Sequence, residues 1–409
     1  QKKGSCGMPP ATTADMTCWA AETPPCGPVV SSGGCRPASA PAADGASHAE
    51  EAQGATAPGV PARPPQPGSA DARPLVIGID LGGTKCHGML AQQDGSGVIQ
   101  DVRRTDPEDA YGTVLACATS LQDRASATGR SVAAIGVGVP AVIEPQSGRA
   151  FDGPNVGWHG FALGERLAAD LAVPLVVEND TDLSALGEAR RGAARGLRDF
   201  VIVAIGTGIG GAVVVDGRLV RGRHNAAGEL GAMVLDRSRL AAATRGGLGS
   251  FERHAAGPGV ASHAAGLLLA QHPTAARSTL QVAGLTAQAV FAAARNGDAV
   301  ARKTMDSVLD DIAMAFIALI SALDPAAIIL DGGMGRALGP ELDDLVERVM
   351  RHAPSTPTVT ISTLQPTSTL VGALVAAAEV ADGAVAAPCF GTLVRSVDLH
   401  TDEAIGRVR

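Results

Sequence analysis

The sequence predicts an α/β chain built from two related lobes, and three observations carry that prediction. A strand-like apolar run entering a glycine turn occurs twice, at residues 75–80 and again at Phe200–Ile205. Each run is followed by two more short apolar runs joined by an Asp-Gly pair, which is a strong hairpin signal. The chain has 409 residues, 45% of them hydrophobic and 18% charged. At roughly 100–200 residues per domain this allows two domains with sizeable cores.

Residues 1–74 are rich in Pro, Ala, Gly and Ser and hold about half of the 26 prolines. Too little apolar area is available there to offset the entropy of ordering, so a disordered extension is expected. The chain does not begin with Met, so residue 1 need not be the translation start. From residue 75 the texture changes to short apolar runs. The first unit reads as a strand over 75–80, the turn Leu81-Gly82-Gly83-Thr84, a second strand over 87–91, an Asp94-Gly95 turn and a third strand over 98–102. The second unit reads as Phe200–Ile205, the turn Gly206-Thr207-Gly208-Ile209-Gly210-Gly211, a strand over 212–215, an Asp216-Gly217 turn and a strand over 218–220. Between them lie a strand over 175–177 and a helix over 183–191. Further on, a helical period over 305–322 stops at Asp324-Pro325, and the run 327–330 enters Asp331-Gly332-Gly333-Met334-Gly335, a third glycine turn. We expect an N-terminal lobe over 75–185, completed by a helix near 370–382, a C-terminal lobe over 186–369, and an irregular tail over 384–409.

Charge and composition exclude several classes of partner. The formal charge is −8, which disfavours nucleic-acid phosphate and anionic lipid and favours a small-molecule ligand. The longest apolar stretch, 312–330, is interrupted by Asp324-Pro325, so no membrane span is expected. The start of the chain lacks the apolar core of a secretory signal. The seven cysteines, Cys6, Cys18, Cys26, Cys35, Cys86, Cys117 and Cys389, form no C-x-x-C pair. They read as reduced thiols of a cytoplasmic protein, with ligation or cross-linking of the four early ones as the alternative.

A glycine turn after a strand presents backbone N–H groups that cradle phosphate oxygens, and a nucleotide between two such turns would be clamped from both sides. Each turn alone reads more readily as a tight hairpin; the matching pair reverses that preference and favours the cradle. The third turn offers a place for the adenosine end of a nucleotide.

Asp80-Leu81-Gly82-Gly83-Thr84-Lys85, Glu178-Asn179-Asp180, Gly206-Thr207-Gly208-Ile209-Gly210-Gly211 and Ala227-Gly228-Glu229-Leu230-Gly231, in this order and spacing, resemble the ROK family of sugar kinases and repressors. The resemblance runs from about residue 75 to 381. It implies the two-lobed actin-like, hexokinase-like and Hsp70-like fold, with ATP and sugar meeting at the base of a cleft. The implied activity is an ATP- and Mg²⁺-dependent kinase of a sugar or sugar-like polyol.

Phosphoryl transfer to a hydroxyl needs alignment, charge neutralisation and a base near the acceptor oxygen. Asp180, at a strand end, is placed to accept the hydroxyl proton and matches the family's catalytic base. The alternative is a helix N-cap, a position that Thr181 or Asp182 would fill equally. The resemblance implies that Asp80 organises Mg²⁺ through water, since Mg²⁺ keeps several waters and takes few carboxylates. It further implies that Gly82, Gly83 and Thr84 meet the γ-phosphate, that Thr207, Gly208 and Gly210 meet the nucleotide phosphates, and that Gly332 and Gly333 lie at the nucleotide's far end. Lys85 reads as a phosphate contact or as a solvated side chain. For the sugar the resemblance points to Asn155, Asn179, Glu229 and Glu252, amide and carboxylate groups suited to reading ring hydroxyls. Asn155, after Pro154, also reads as a turn residue.

The sequence departs from the family at the structural zinc. Many members carry a His three residues after the sugar-binding Glu and a later C-x-C-G-x-x-G-C-x-E segment. Here those ligand positions hold Ala232, Ala243, Arg245 and Ser250, while Gly246, Gly249 and Glu252 remain. We expect no zinc. In the family the same His touches the sugar, so Ala232 removes a donor beside the acceptor. A ring other than plain glucose suits that change, and C7 cyclitols of the valiolone or valienone type are one class. The sequence leaves open whether ATP or polyphosphate is the donor, and the resemblance implies a homodimer or larger homo-oligomer. Two other functions were weighed. The segment before residue 75 lacks the amphipathic, basic helices of a DNA-binding repressor. A catalytically inactive sugar-binding or regulatory relative is the alternative reading, opposed by retention of Asp80, Asp180 and both phosphate turns.

Overall fold

A computed structural model describes residues 74–153, 156–242, 249–270 and 278–383. The expected extension, the tail, Asn155, Ala243, Arg245 and Gly246 lie outside these residues. The first half contains β1 (Leu75–Leu81), β2 (Lys85–Gln92), β3 (Ile99–Arg104), α1 (Ala110–Ser126), β4 (Val132–Val139), β5 (Val142–Glu144), β6 (Arg149–Asp152), α2 (Leu163–Leu171), β7 (Leu175–Asn179) and α3 (Asp180–Arg191). The second half contains β8 (Phe200–Ile205), β9 (Ile209–Val215), β10 (Arg218–Leu219), α4 (Ser250–Ala255), α5 (Gly257–Leu269), α6 (Ala287–Arg295), α7 (Ala299–Leu323), β11 (Ala327–Asp331), α8 (Gly332–Ala337), α9 (Leu342–Met350), β12 (Thr358–Ile361) and α10 (Ser368–Ala381).

The internal repeat is borne out strand for strand. One five-stranded sheet runs β3-β2-β1-β4-β7 and the other β10-β9-β8-β11-β12. In both, the first three strands form an antiparallel meander and the last two add in parallel. The parallel centre explains the near-continuous apolar runs of β1, β8 and β11, because such strands are covered on both faces. Asp216 and Gly217 both take positive φ, 52° and 70°, as the two-residue hairpin turn requires. The Asp94-Gly95 connection is broader: Gln92 N–H donates to Ser96 O at 2.8 Å and Asp94 Oδ1 accepts from Ser96 N–H at 2.9 Å.

Three expectations differ in detail from the structure. The third glycine turn is confined to Gly332, at φ 80°, and the residues after it wind directly into α8. The helix read over 305–322 starts six residues earlier, at Ala299, where Asp298 Oδ1 caps it by accepting from Val300 N–H and Ala301 N–H, each at 3.0 Å. The lobe division drawn between residues 185 and 186 falls inside the continuous helix α3. Among the described residues no helix is long and apolar enough to cross a membrane.

The halves share a core. Val176 of β7, Leu183 and Leu186 of α3, Phe200 and Ile202 of β8, Ile329 of β11 and Ala373 and Ala376 of α10 form one buried cluster. Helix α10 reaches this position by backbone contact. A Cβ on Gly372 would lie 1.8 Å from Leu183 O of α3, and one on Gly136 would lie 2.1 Å from Ala373 O. Only glycine permits either approach. Gly372→Val should therefore destabilise the fold by about 3 kcal/mol or more. Gly266→Ala, on an exposed stretch of α5 with no atom within 4 Å of the new carbon, should be neutral or stabilising by up to about 1 kcal/mol. Denaturant unfolding of the two variants checks the contrast.

Candidate active site

The strand ends of β1, β7, β8 and β11 bring their following turns to one place. Asp80 is the penultimate residue of β1, paired with His87 on one side and Gly138 on the other. Burial, followed by the charges of Asp180 and Asp331, pushes its carboxyl up to about 7, against the pull of Lys85. The turn beyond it is fastened from below. Gly82 N–H donates to Lys85 O at 2.8 Å, Thr105 Oγ donates to Gly82 O at 2.7 Å, and Thr105 N–H donates to Thr84 O at 3.1 Å. Gly83, Thr84 and Lys85 are left exposed, and Gly83 has open space where a side chain would be.

At the end of β7 the structure separates two roles that the sequence left open. Asn179, with extended φ and ψ of −61° and 143°, is the N-cap of α3. Its Oδ1 accepts from Thr181 N–H at 2.8 Å and Asp182 N–H at 3.2 Å, and its Nδ2 donates to Ala141 O at 3.2 Å. Such a cap contributes about 0.5–2 kcal/mol. Asp180 is thereby released from capping. Its Oδ1 accepts from Thr181 N–H at 2.8 Å and Thr181 Oγ at 3.2 Å, while Oδ2 has no protein partner among the described residues. Burial pushes the Asp180 carboxyl up to about 6; the Thr181 bonds pull it down and Asp331 pushes it further up.

The second glycine turn lies against this helix start. A Cβ on Gly210 would sit 2.8 Å from Thr181 Oγ. Gly206 N–H closes the turn on Gly208 O at 2.9 Å, and Glu252 Oε2 accepts from Ile209 N–H at 2.8 Å. Thr207 is exposed at its tip. Gly332 packs on the end of β8, its absent Cβ 2.4 Å from Ile205 O, and Gly333 is exposed beside it at the start of α8.

The four expected acceptor contacts fare differently. Glu229 is exposed immediately before the short 3₁₀ helix Leu230–Ala232. Asn179 has its oxygen engaged as a cap, and Glu252 has one oxygen engaged in shaping the second turn. Asn155 lies outside the described residues. Of the four changed zinc positions, Ala232 is exposed and Ser250 is buried as the first residue of α4. The segments carrying them are joined by backbone: a Cβ on Gly249 would lie 1.9 Å from Gly231 O, and Phe251 N–H donates to Met233 O at 3.0 Å. Nearby, Asp311 of α7 accepts from Arg239 Nη1 at 2.9 Å and lies 2.9 Å from His254 Nδ1.

Two features escape the sequence reading. Glu178, 1% exposed, forms a forked ion pair with Arg221, Nη1 to Oε1 at 3.0 Å and Nη2 to Oε2, and Asp182 lies 3.5 Å from the same guanidinium. Burial and Glu178 hold the Asp182 carboxyl well above its ordinary range. Asp331, read only as the first residue of the third glycine turn, is buried and accepts from Ser184 and Ser368. In both cases the partners are far apart in sequence and leave no local pattern.

Asp80, Asp180 and Asp331 gather three carboxylates beside the glycine turns, with Lys85 the cation acting on Asp80. A polyphosphate would be repelled unless a divalent cation lay between. The desolvated Asp80 carboxyl fits a hydrated Mg²⁺, which needs few protein ligands.

The ROK family profile matches residues 76–380. A glucokinase of Halalkalibacterium halodurans is 30% identical over 281 residues, 68% of this chain and 84% of the relative. A glucokinase of Thermotoga maritima is 30% identical over 317 residues, 73% of this chain and 95% of the relative. The crystal structure of a ROK family glucokinase from Streptomyces griseus in complex with glucose and AMPPNP superposes with a TM-score of 0.64 at 27% identity, covering 74% of this chain and 99% of that one. With the paired sheets, the two glycine turns and the Glu-Asn-Asp strand end, these matches establish that the chain belongs to the ROK family.

Proposed function

We propose that this protein is an ATP- and Mg²⁺-dependent kinase that phosphorylates a hydroxyl of a sugar or sugar-like polyol. The observation that carries the reading is the pair at the end of β7: Asn179 caps α3, and Asp180, bonded through Oδ1 to Thr181, has no partner for Oδ2 among the described residues. The glucokinase relatives, one of them in complex with glucose and an ATP analogue, support this donor and acceptor class.

In this reading the exposed turn at Gly82, Gly83 and Thr84 meets the γ-phosphate, and Thr207, Gly208 and Gly210 meet the other phosphates through backbone N–H groups. Gly332 and Gly333 lie toward the nucleoside. Mg²⁺, held through water by Asp80, supplies charge neutralisation on the phosphates. Asp180 Oδ2 takes the proton of the acceptor hydroxyl as that oxygen bonds to the γ-phosphorus and the bridging P–O bond breaks, releasing ADP. Glu229, Asn155, the remaining Nδ2 hydrogen of Asn179 and the second oxygen of Glu252 orient the acceptor ring. Ala232 leaves one side of that ring without a side-chain donor, which favours a sugar or C7 cyclitol that differs from glucose there. Backbone joining of residues 231–233 to 249–251 and the Arg239–Asp311 pair support a reading in which these flanking segments are held together without zinc.

Asp180→Asn should leave the fold intact and lower kcat by at least about 10²-fold; wild-type turnover in the folded variant removes the proposed base. The base acts when deprotonated, so protonation below its pKa silences it. Turnover should rise with pH through about 6 and level off above, and a flat profile from acid to neutral pH contradicts the assignment. Elemental analysis of purified protein should find no stoichiometric zinc; one tightly held zinc per chain rejects the metal-free loop.

A further inference from the structure

Asp331 ends β11 and is 5% exposed. Its Oδ2 accepts from Ser184 Oγ of α3 and, at 2.6 Å, from Ser368 Oγ at the start of α10. Its Oδ1 accepts from Gly332 N–H at 2.7 Å and so caps α8. One buried carboxylate thus fastens three elements. Ser184 lies four residues after Asp180, one turn along the same face of α3. Gly332 lies on the carbonyl of Ile205, the residue that leads into the second glycine turn.

We propose that Asp331 is a positioning residue for the catalytic base: through Ser184 and Ser368 it holds the first turns of α3 and α10 against β11, keeping Asp180 in place between the two glycine turns. The inference rests on the kinase reading above. It requires no contact between Asp331 and substrate. A neutral Asn would place no third negative charge beside Asp80 and Asp180, yet the position holds a carboxylate. Hydrogen bonds to an ionised acceptor are roughly twice as strong as neutral ones, which suits a tether more than a space-filler. Truncating it leaves two buried hydroxyls without their acceptor.

The test uses Asp331→Ala, Asp331→Asn and Ser184→Ala in the full chain. Steady-state ADP release gives kcat and KM, and deuterium exchange follows the Asp180–Arg191 helix. Asp331→Ala and Ser184→Ala should lower kcat by up to about 10²-fold, the loss that a slightly misplaced group causes, with KM for the acceptor unchanged. Both should speed exchange at the first turn of α3. Asp331→Asn, which retains acceptor capacity, should recover part of the lost kcat. A folded Asp331→Ala with wild-type kcat, or one whose loss lies in KM, overturns the proposal; if that variant does not fold, Ser184→Ala decides on the same criteria. If the wild-type protein releases no ADP with any acceptor, the kinase reading fails. Unchanged α3 exchange in the folded variants then separately rejects the tether.

Discussion

The crossing of α3 and α10 is the contact on which the rest of the molecule depends. Gly372 lets α10 meet the backbone of α3, and Gly136 lets it meet β4, so one helix is pressed against elements of the first sheet and against the helix that leads into the second. The shared core cluster forms around that crossing. Because α3 begins at Asp180 and α10 begins at Ser368, the same packing that joins the halves sets where the carboxylate of Asp180 stands. Fold and chemistry meet at the N-terminal turns of these two helices.

Charge at that junction is deliberately unbalanced. Burial holds the carboxyls of Asp80 and Asp180 well above the ordinary range, and Asp331, with Asp180 in the case of Asp80, pushes them further up. A site of this kind is poor at holding phosphates by itself and well suited to holding them with a divalent cation. A second imbalance lies beside it, where Glu178 and Asp182 share the single guanidinium of Arg221. Breaking a buried pair of that kind is costly, because the partner is left as an uncompensated charge. Arg221 thereby fixes the segment after β10 to the strand that delivers Asp180.

Much of this was legible in the sequence because it is written in local patterns. Apolar runs ending in glycine turns gave the antiparallel meander of each sheet, strand β11 and the position of Asp80, while β4 and β12 were not read; the Glu-Asn-Asp strand end pointed to Asp180. The division of labour between Asn179 and Asp180 was not legible. Both side chains cap helices well, and the choice is made by where the backbone leaves extended φ and ψ, which neighbouring residues do not announce. The brevity of the third glycine turn was not legible for a related reason: a single positive φ at Gly332 is enough to turn the chain, and the capped residues behind it continue as helix. Glu178 with Arg221, and Asp331 with Ser184 and Ser368, join residues widely separated along the chain, so only the folded arrangement reveals them.

The central claim is that Asp180 serves phosphoryl transfer to a ring hydroxyl, and product analysis tests it most directly. Phosphorus NMR of the wild-type protein with ATP, Mg²⁺ and a panel of hexoses, N-acetylhexosamines and cyclitols should show, for at least one acceptor, a new phosphate monoester formed in equal amount with ADP. Binding of an acceptor without any monoester, or ADP accompanied only by inorganic phosphate, would contradict the account.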